Sequence, residues 1–72
     1  MLMKRVAVLK KLRRAAKAAG VEYSEIELSN HLGVTVGTVR STIGRHNEVA
    51  EGTVQAFYKQ YEDVLGKGWW RT

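Results

Sequence analysis

Residues 28 to 45 decide the fold: Leu28-Ser29-Asn30-His31-Leu32-Gly33-Val34-Thr35-Val36-Gly37-Thr38-Val39-Arg40-Ser41-Thr42-Ile43-Gly44-Arg45. Two structures compete for this stretch. Leu28-Ser29, Leu32-Gly33-Val34-Thr35 and Thr38-Val39-Arg40 with Ile43 match the spacing of a helix-turn-helix, whose second helix would read a DNA groove. Leu32, Val34 and Val36 also alternate with period two, and Gly37 supplies a turn into a further short strand over Arg40 to Arg45 that ends near Gly44. Seven of the twelve residues from Leu32 to Ile43 are Val, Ile or Thr, which suit strands, and Gly37 would sit inside the helix of the first alternative. The hairpin is therefore expected, with a DNA-binding transcriptional regulator of the helix-turn-helix type as the alternative.

Working outward, Ser24, Ile26 and Leu28 fall on one side of a strand from Tyr23, with Tyr23, Glu25 and Glu27 on the other. On the N-terminal side, residues 3 to 19 read as a helix. Placed at 100° per residue, Val8, Leu9, Leu12, Ala16 and Ala19 share one face, while Lys4, Lys10, Lys11, Arg14 and Lys17 share the opposite one. Gly20 stops this helix. Residues 51 to 65 return to helical spacing, with Val54, Phe57, Tyr58, Tyr61, Val64 and Leu65 on one face and Gly66 as the stop. The expected architecture is α+β, in the order α-β-β-β-α: a three-stranded antiparallel sheet with both helices on one face and the other face open.

The 72 residues suffice for one domain, so 1–72 is read as a single unit. Twelve Lys and Arg against seven Asp and Glu give a formal charge of +5, which attracts polyanions, nucleic acid first among them. The apolar run Val6 to Leu9 breaks at Lys10-Lys11, short of a signal peptide, and no stretch has membrane-spanning length, so a cytoplasmic protein with no membrane partner is expected. There is no cysteine for a disulfide or a thiolate metal site. No spacing of His, Asp and Glu suits a metal, and no glycine-rich phosphate loop occurs, so no cofactor is expected. Acid-base chemistry is left to the two histidines, His31 and His46. If Leu32, Val34 and Val36 point at the helices, His31 points to the open face, where an imidazole can exchange protons. His46, beside Arg45 at the end of the third strand, is either a second proton carrier or a structural residue. Trp69 and Trp70 serve either to stack on bases or to cover the edge of a small core.

The segment Ser29-Asn30-His31, followed after thirteen residues by Arg45-His46-Asn47-Glu48-Val49 and then by Glu51-Gly52-Thr53, resembles the pattern of the HicA family of toxins from toxin-antitoxin systems. Met3-Lys4-Arg5 with Leu9 and Leu12, and Leu65-Gly66-Lys67-Gly68-Trp69-Trp70-Arg71, are also similar to members of that family. Two departures stand out: Leu28 and Ser29 occupy positions where members usually carry one or two glycines, and Gly44 stands where a proline is common. The resemblance implies a fold similar to the double-stranded RNA-binding domain, and a toxin that is a metal-independent endoribonuclease, an mRNA interferase and hence a hydrolase. It further implies restraint by a HicB-like antitoxin and a catalytic histidine at His31. RNA-binding cations would then be Arg40 and Arg45 on the third strand, with Lys4, Arg5, Lys10, Lys11 and Arg14 if the first helix faces the substrate. A folded RNA-binding module without activity is the remaining alternative, because fold alone does not separate it from an enzyme.

Overall fold

A computed structural model describes residues 2–71. Its elements are β1 (Leu2–Lys4), α1 (Arg5–Ala19), β2 (Tyr23–Glu27), β3 (His31–Val36), β4 (Val39–Gly44), β5 (Glu48–Ala50), α2 (Glu51–Lys59), α3 (Glu62–Leu65) and a closing 3₁₀ turn (Trp69–Arg71). The disputed stretch is a β-hairpin, and the helix-turn-helix alternative falls with it. β2, β3 and β4 form one antiparallel sheet in that order, with Val36 opposite Val39 and Leu32 opposite Ile43. Gly37, at φ 60°, opens the two-residue turn between β3 and β4. Since no described non-glycine residue has positive φ, Thr38 does not, and the turn takes the form that demands glycine at its first central position.

α1 buries Val8, Leu12 and Ala16 completely, a stripe with a spacing of four that faces the sheet. Gly20 ends it in the left-handed conformation at φ 72°, its N–H reaching the carbonyls of Ala16 and Lys17. The opposing layer of the core is Leu32, Val34, Val36 and Ile43. Register settles which side of β2 is inward: Tyr23 lies opposite Val36 and packs on the core, with Glu25 and Glu27 following at the sheet edge. Ser24 and Ile26 therefore lie on the uncovered face. Tyr58 and Tyr61 bury their rings and still satisfy their hydroxyls, which donate to the carbonyls of Val8 and Val34, both at 2.8 Å.

Three features depart from the expected order. The first helix begins at Arg5, not at residue 3, because Leu2–Lys4 pairs antiparallel with Glu48–Ala50. That pairing turns Met3 and Val49 toward the core, and Arg5 N–H extends it by donating to Asn47 O at 2.9 Å. The last helix breaks at Gln60-Tyr61, where N–H groups reach back only three residues, to Phe57 and Tyr58. Tyr61, at φ −95° and ψ 7°, thereby swings its hydroxyl to Val34. The tail is ordered: Gly66 at φ 96° and Gly68 at φ 68° fold the 3₁₀ turn back onto the helices. There Trp69 Nε1 donates to Tyr58 O at 3.0 Å, and its ring meets that of Tyr58 edge-on at 4.7 Å between centroids. Trp69 is a core cover, as is the inner part of Trp70. Among the described residues, no helix is long and apolar enough to cross a membrane.

Candidate active site

His31 is the first residue of β3 and, with Leu32, Val34 and Val36 turned inward, projects its exposed side chain from the uncovered sheet face. Its register partner on β4 is Gly44. A Cβ at Gly44 would point to the same face as His31 and would stand 3.5 Å from Cδ2 of His46, so the His46 ring lies against the space that Gly44 leaves open. Directly opposed Cβ positions in an antiparallel pair are about 5 Å apart. The His46 ring and the start of β3 at His31 therefore both adjoin Gly44, although fourteen residues separate the two histidines in sequence. His46 is held there by its chain neighbours, since Asn47 O accepts from Arg5 N–H at the start of α1.

Arg45 clamps the same end. Its Nη1 lies 2.6 Å from Glu27 Oε2 and 3.4 Å from Leu28 O, joining the end of β4 to the end of β2 across β3. Both side chains are largely in solvent, so the pair stabilises the fold by less than about 1 kcal/mol. Its use is to fix the direction of the guanidinium, whose Nε and Nη2 remain for another acceptor.

α1 runs back along β2, so its first residues share this end with His31. Lys4, opposite Glu48 on β5, and Arg5 are thereby placed near Arg45 and His46. Arg40 projects from the same sheet face as His31 but four residues before Gly44 on β4, about 13 Å away at strand rise. Lys10, Lys11 and Arg14 lie elsewhere. They are exposed on the side of α1 opposite Val8, Leu12 and Ala16, and so point away from the sheet. Of the seven cations expected to contact RNA, the fold puts Lys4, Arg5 and Arg45 at the same end of the sheet as His31, keeps Arg40 on its face, and puts three on the helical side.

One neighbour of His31 was not foreseen as such. Ile26 Cγ2 and Leu28 Cδ1 lie over Gly33, where a Cβ would meet them at 2.8 and 3.5 Å. Ile26 and Leu28 stay 49% and 37% exposed, an apolar strip on the open face directly beside His31. Periodicity put both residues on one side of β2, but only the register with β3 shows that this side is the open one. Among the described residues no group of three or more His, Asp or Glu side chains is placed to hold a metal ion. Comparison of the chain with protein-family models, with curated proteins and with solved structures finds no match.

Proposed function

We propose that this chain is a metal-independent endoribonuclease that cleaves mRNA, the toxin of a toxin-antitoxin pair, with His31 as its catalytic residue. One observation carries the reading: Ser29-Asn30-His31 and Arg45-His46-Asn47, the two segments that resemble the HicA pattern, lie at one end of the sheet, where Gly44 pairs with His31 and has the His46 ring against it. RNA supplies its own nucleophile. The 2′-hydroxyl oxygen attacks the neighbouring phosphorus, a base removes its proton, and the bond to the 5′-oxygen breaks as an acid protonates that oxygen. The products are a 2′,3′-cyclic phosphate and a 5′-hydroxyl. His31 and His46, both adjoining Gly44, divide the two proton transfers, and Arg45 with Lys4 and Arg5 offsets the charge of the phosphorane. The exposed Ile26 offers an apolar surface for the base next to the scissile phosphate. An acidic antitoxin lying over the open face would occlude the same groups, its charge complementary to theirs.

The test is to incubate purified protein with a chimaeric oligomer holding a single ribonucleotide and to analyse the new ends. A cyclic phosphate and a 5′-hydroxyl, both lost when that ribonucleotide is 2′-deoxy, are expected; a 3′-hydroxyl with a 5′-phosphate would refute the mechanism. One observation favours the second reading, a binding module without activity. Leu28 and Ser29 stand just before His31 where the resembled family usually carries glycine, and an oligomer bound but left intact would establish that reading instead.

A further inference from the structure

On the helical side, remote from His31, an open cleft of about 270 Å³ lies between α2 and the closing turn. One wall is the exposed stripe Gln55, Ala56 and Lys59 of α2, and the other is Trp70, with Lys67 and Arg71 at its ends. Besides the contacts of Trp69 with Tyr58, two side-chain hydrogen bonds hold the turn in place. Gly68 N–H donates to Glu62 Oε2 at 2.7 Å, and Lys11 Nζ donates to Trp70 O at 2.5 Å. The Arg71 guanidinium carbon stands 5.3 Å from the Trp70 ring centre, so a cation and an aromatic face are already set against each other. Among the described residues Glu62 is the one carboxylate in the lining, and it is engaged by the Gly68 N–H; against it stand the cations of Lys59, Lys67 and Arg71. The small Ala56 leaves the floor open.

We propose that this cleft is a second nucleic-acid site, which takes one unstacked base of a single strand against Trp70 and its flanking phosphates on Lys59, Lys67 and Arg71. The choice of RNA as the ligand rests on the function proposed above; the choice of a single strand rests on the cleft. An aromatic wall can reach the face of a base only where that base is not stacked in a duplex. The volume suits one base and falls just under the range of pockets for extended ligands. Gln55 adds an amide that can donate to or accept from a base edge. The cleft also continues into the basic side of α1. Lys11 is bonded to the turn itself, and Lys10, Arg14 and Lys17 follow on the exposed side at spacings of four and three. A strand seated on Trp70 thus has cations along its course beyond the cleft.

The test measures binding of a fluorescein-labelled octauridylate whose 2′-O-methyl groups prevent cleavage. Lys59→Gln with Lys67→Gln changes only exposed side chains, and should lower the slope of log K against log salt by about 1.4, at about 0.7 per lost phosphate contact. Trp70→Leu should weaken binding about tenfold, the cost of one stacked base, and remove the quenching of tryptophan fluorescence on binding. An octauridylate already paired in a duplex should show neither dependence. Unchanged affinity and unchanged salt slope in the folded double variant would overturn the site. So would equal displacement by inorganic polyphosphate together with an unaltered Trp70→Leu affinity, which would show a charged surface only. Because the strand is uncleavable, an inactive wild type refutes the ribonuclease reading without touching this result, and failure here leaves cleavage at His31 standing.

Discussion

Replacing His31 with alanine separates chemistry from folding, because the side chain lies outside the core and at the start of a strand. Surface substitutions of this kind shift stability by no more than about 0.5 kcal/mol, so the thermal midpoint should hardly move. A lost general acid or base costs roughly 10²- to 10⁴-fold in rate, about 3 to 5 kcal/mol on the barrier. The two effects therefore differ by several-fold in free energy, and one preparation can report both. His46→Ala should fall in the same range if its ring at Gly44 is the complementary proton carrier. The double variant should then be far less impaired than the product of the two single losses, because groups that act as a unit are not additive. The assay is initial-rate cleavage of a fluorogenic RNA, run beside thermal unfolding followed by circular dichroism. A folded His31→Ala protein with wild-type turnover would refute the catalytic assignment. Near-normal turnover in His46→Ala alone would leave His31 in place and return His46 to a structural role.

Burial pushes the phenols of Tyr58 and Tyr61 up to about 12, the hydrogen bonds with Ser41 drawing Tyr61 partly back. A group raised in the folded state stabilises fully below its unfolded value, so stability should be level below pH 10 and fall from there toward pH 12. The slope should approach 1.4 kcal/mol per pH unit for each tyrosine, and urea midpoints that stay flat across this window would contradict it. Leu28→Gly should raise the cleavage rate severalfold by clearing the approach to His31 without loss of core packing; a lower rate would mean that Leu28 instead supports the base. Arg40→Glu with Arg45→Glu should weaken both RNA and the acidic antitoxin in titrations, and loss of one ligand only would separate the two surfaces.

The hairpin and the outward direction of His31 were legible because both depend on local parity: once Leu32, Val34 and Val36 go in, His31 must go out. α1 and its stop at Gly20 were legible for the same kind of reason, a stripe with one period and one residue able to take positive φ. β1 was not, because three residues carry no period and the partner of Met3 is Val49, far away in sequence. Nor could periodicity show the break at Gln60-Tyr61, which serves a hydrogen bond from Tyr61 to a distant strand. The placement of the His46 ring against Gly44, the partner of His31, shows only through the register, and the cleft at Trp70 depends on a tail that folds back. Both are tertiary facts.

On the function proposed above, the opposed positions of His31 and the Trp70 cleft would give the unforeseen pairing of β1 with β5 a role in substrate binding. A strand held at both sites must pass from the helical side to the open sheet face, and the first residues of α1 lie at that edge. β1–β5 pairing fixes Lys4 there, and Arg5 N–H is anchored on Asn47. From Arg5 to Lys10 the helix rises about 7.5 Å, and from Lys10 to Arg14 about 6 Å. Both steps fall within the screening length of about 8 Å at physiological salt, so the cations act as one continuous field rather than as separate contacts. The Cα envelope measures 28 × 26 × 16 Å, so the route from one face to the other turns sharply within a short distance. A flexible single strand can follow that turn and a stiff helix cannot. If RNA is the ligand, as proposed, shape and charge would therefore select the same class of strand as the aromatic wall of the cleft.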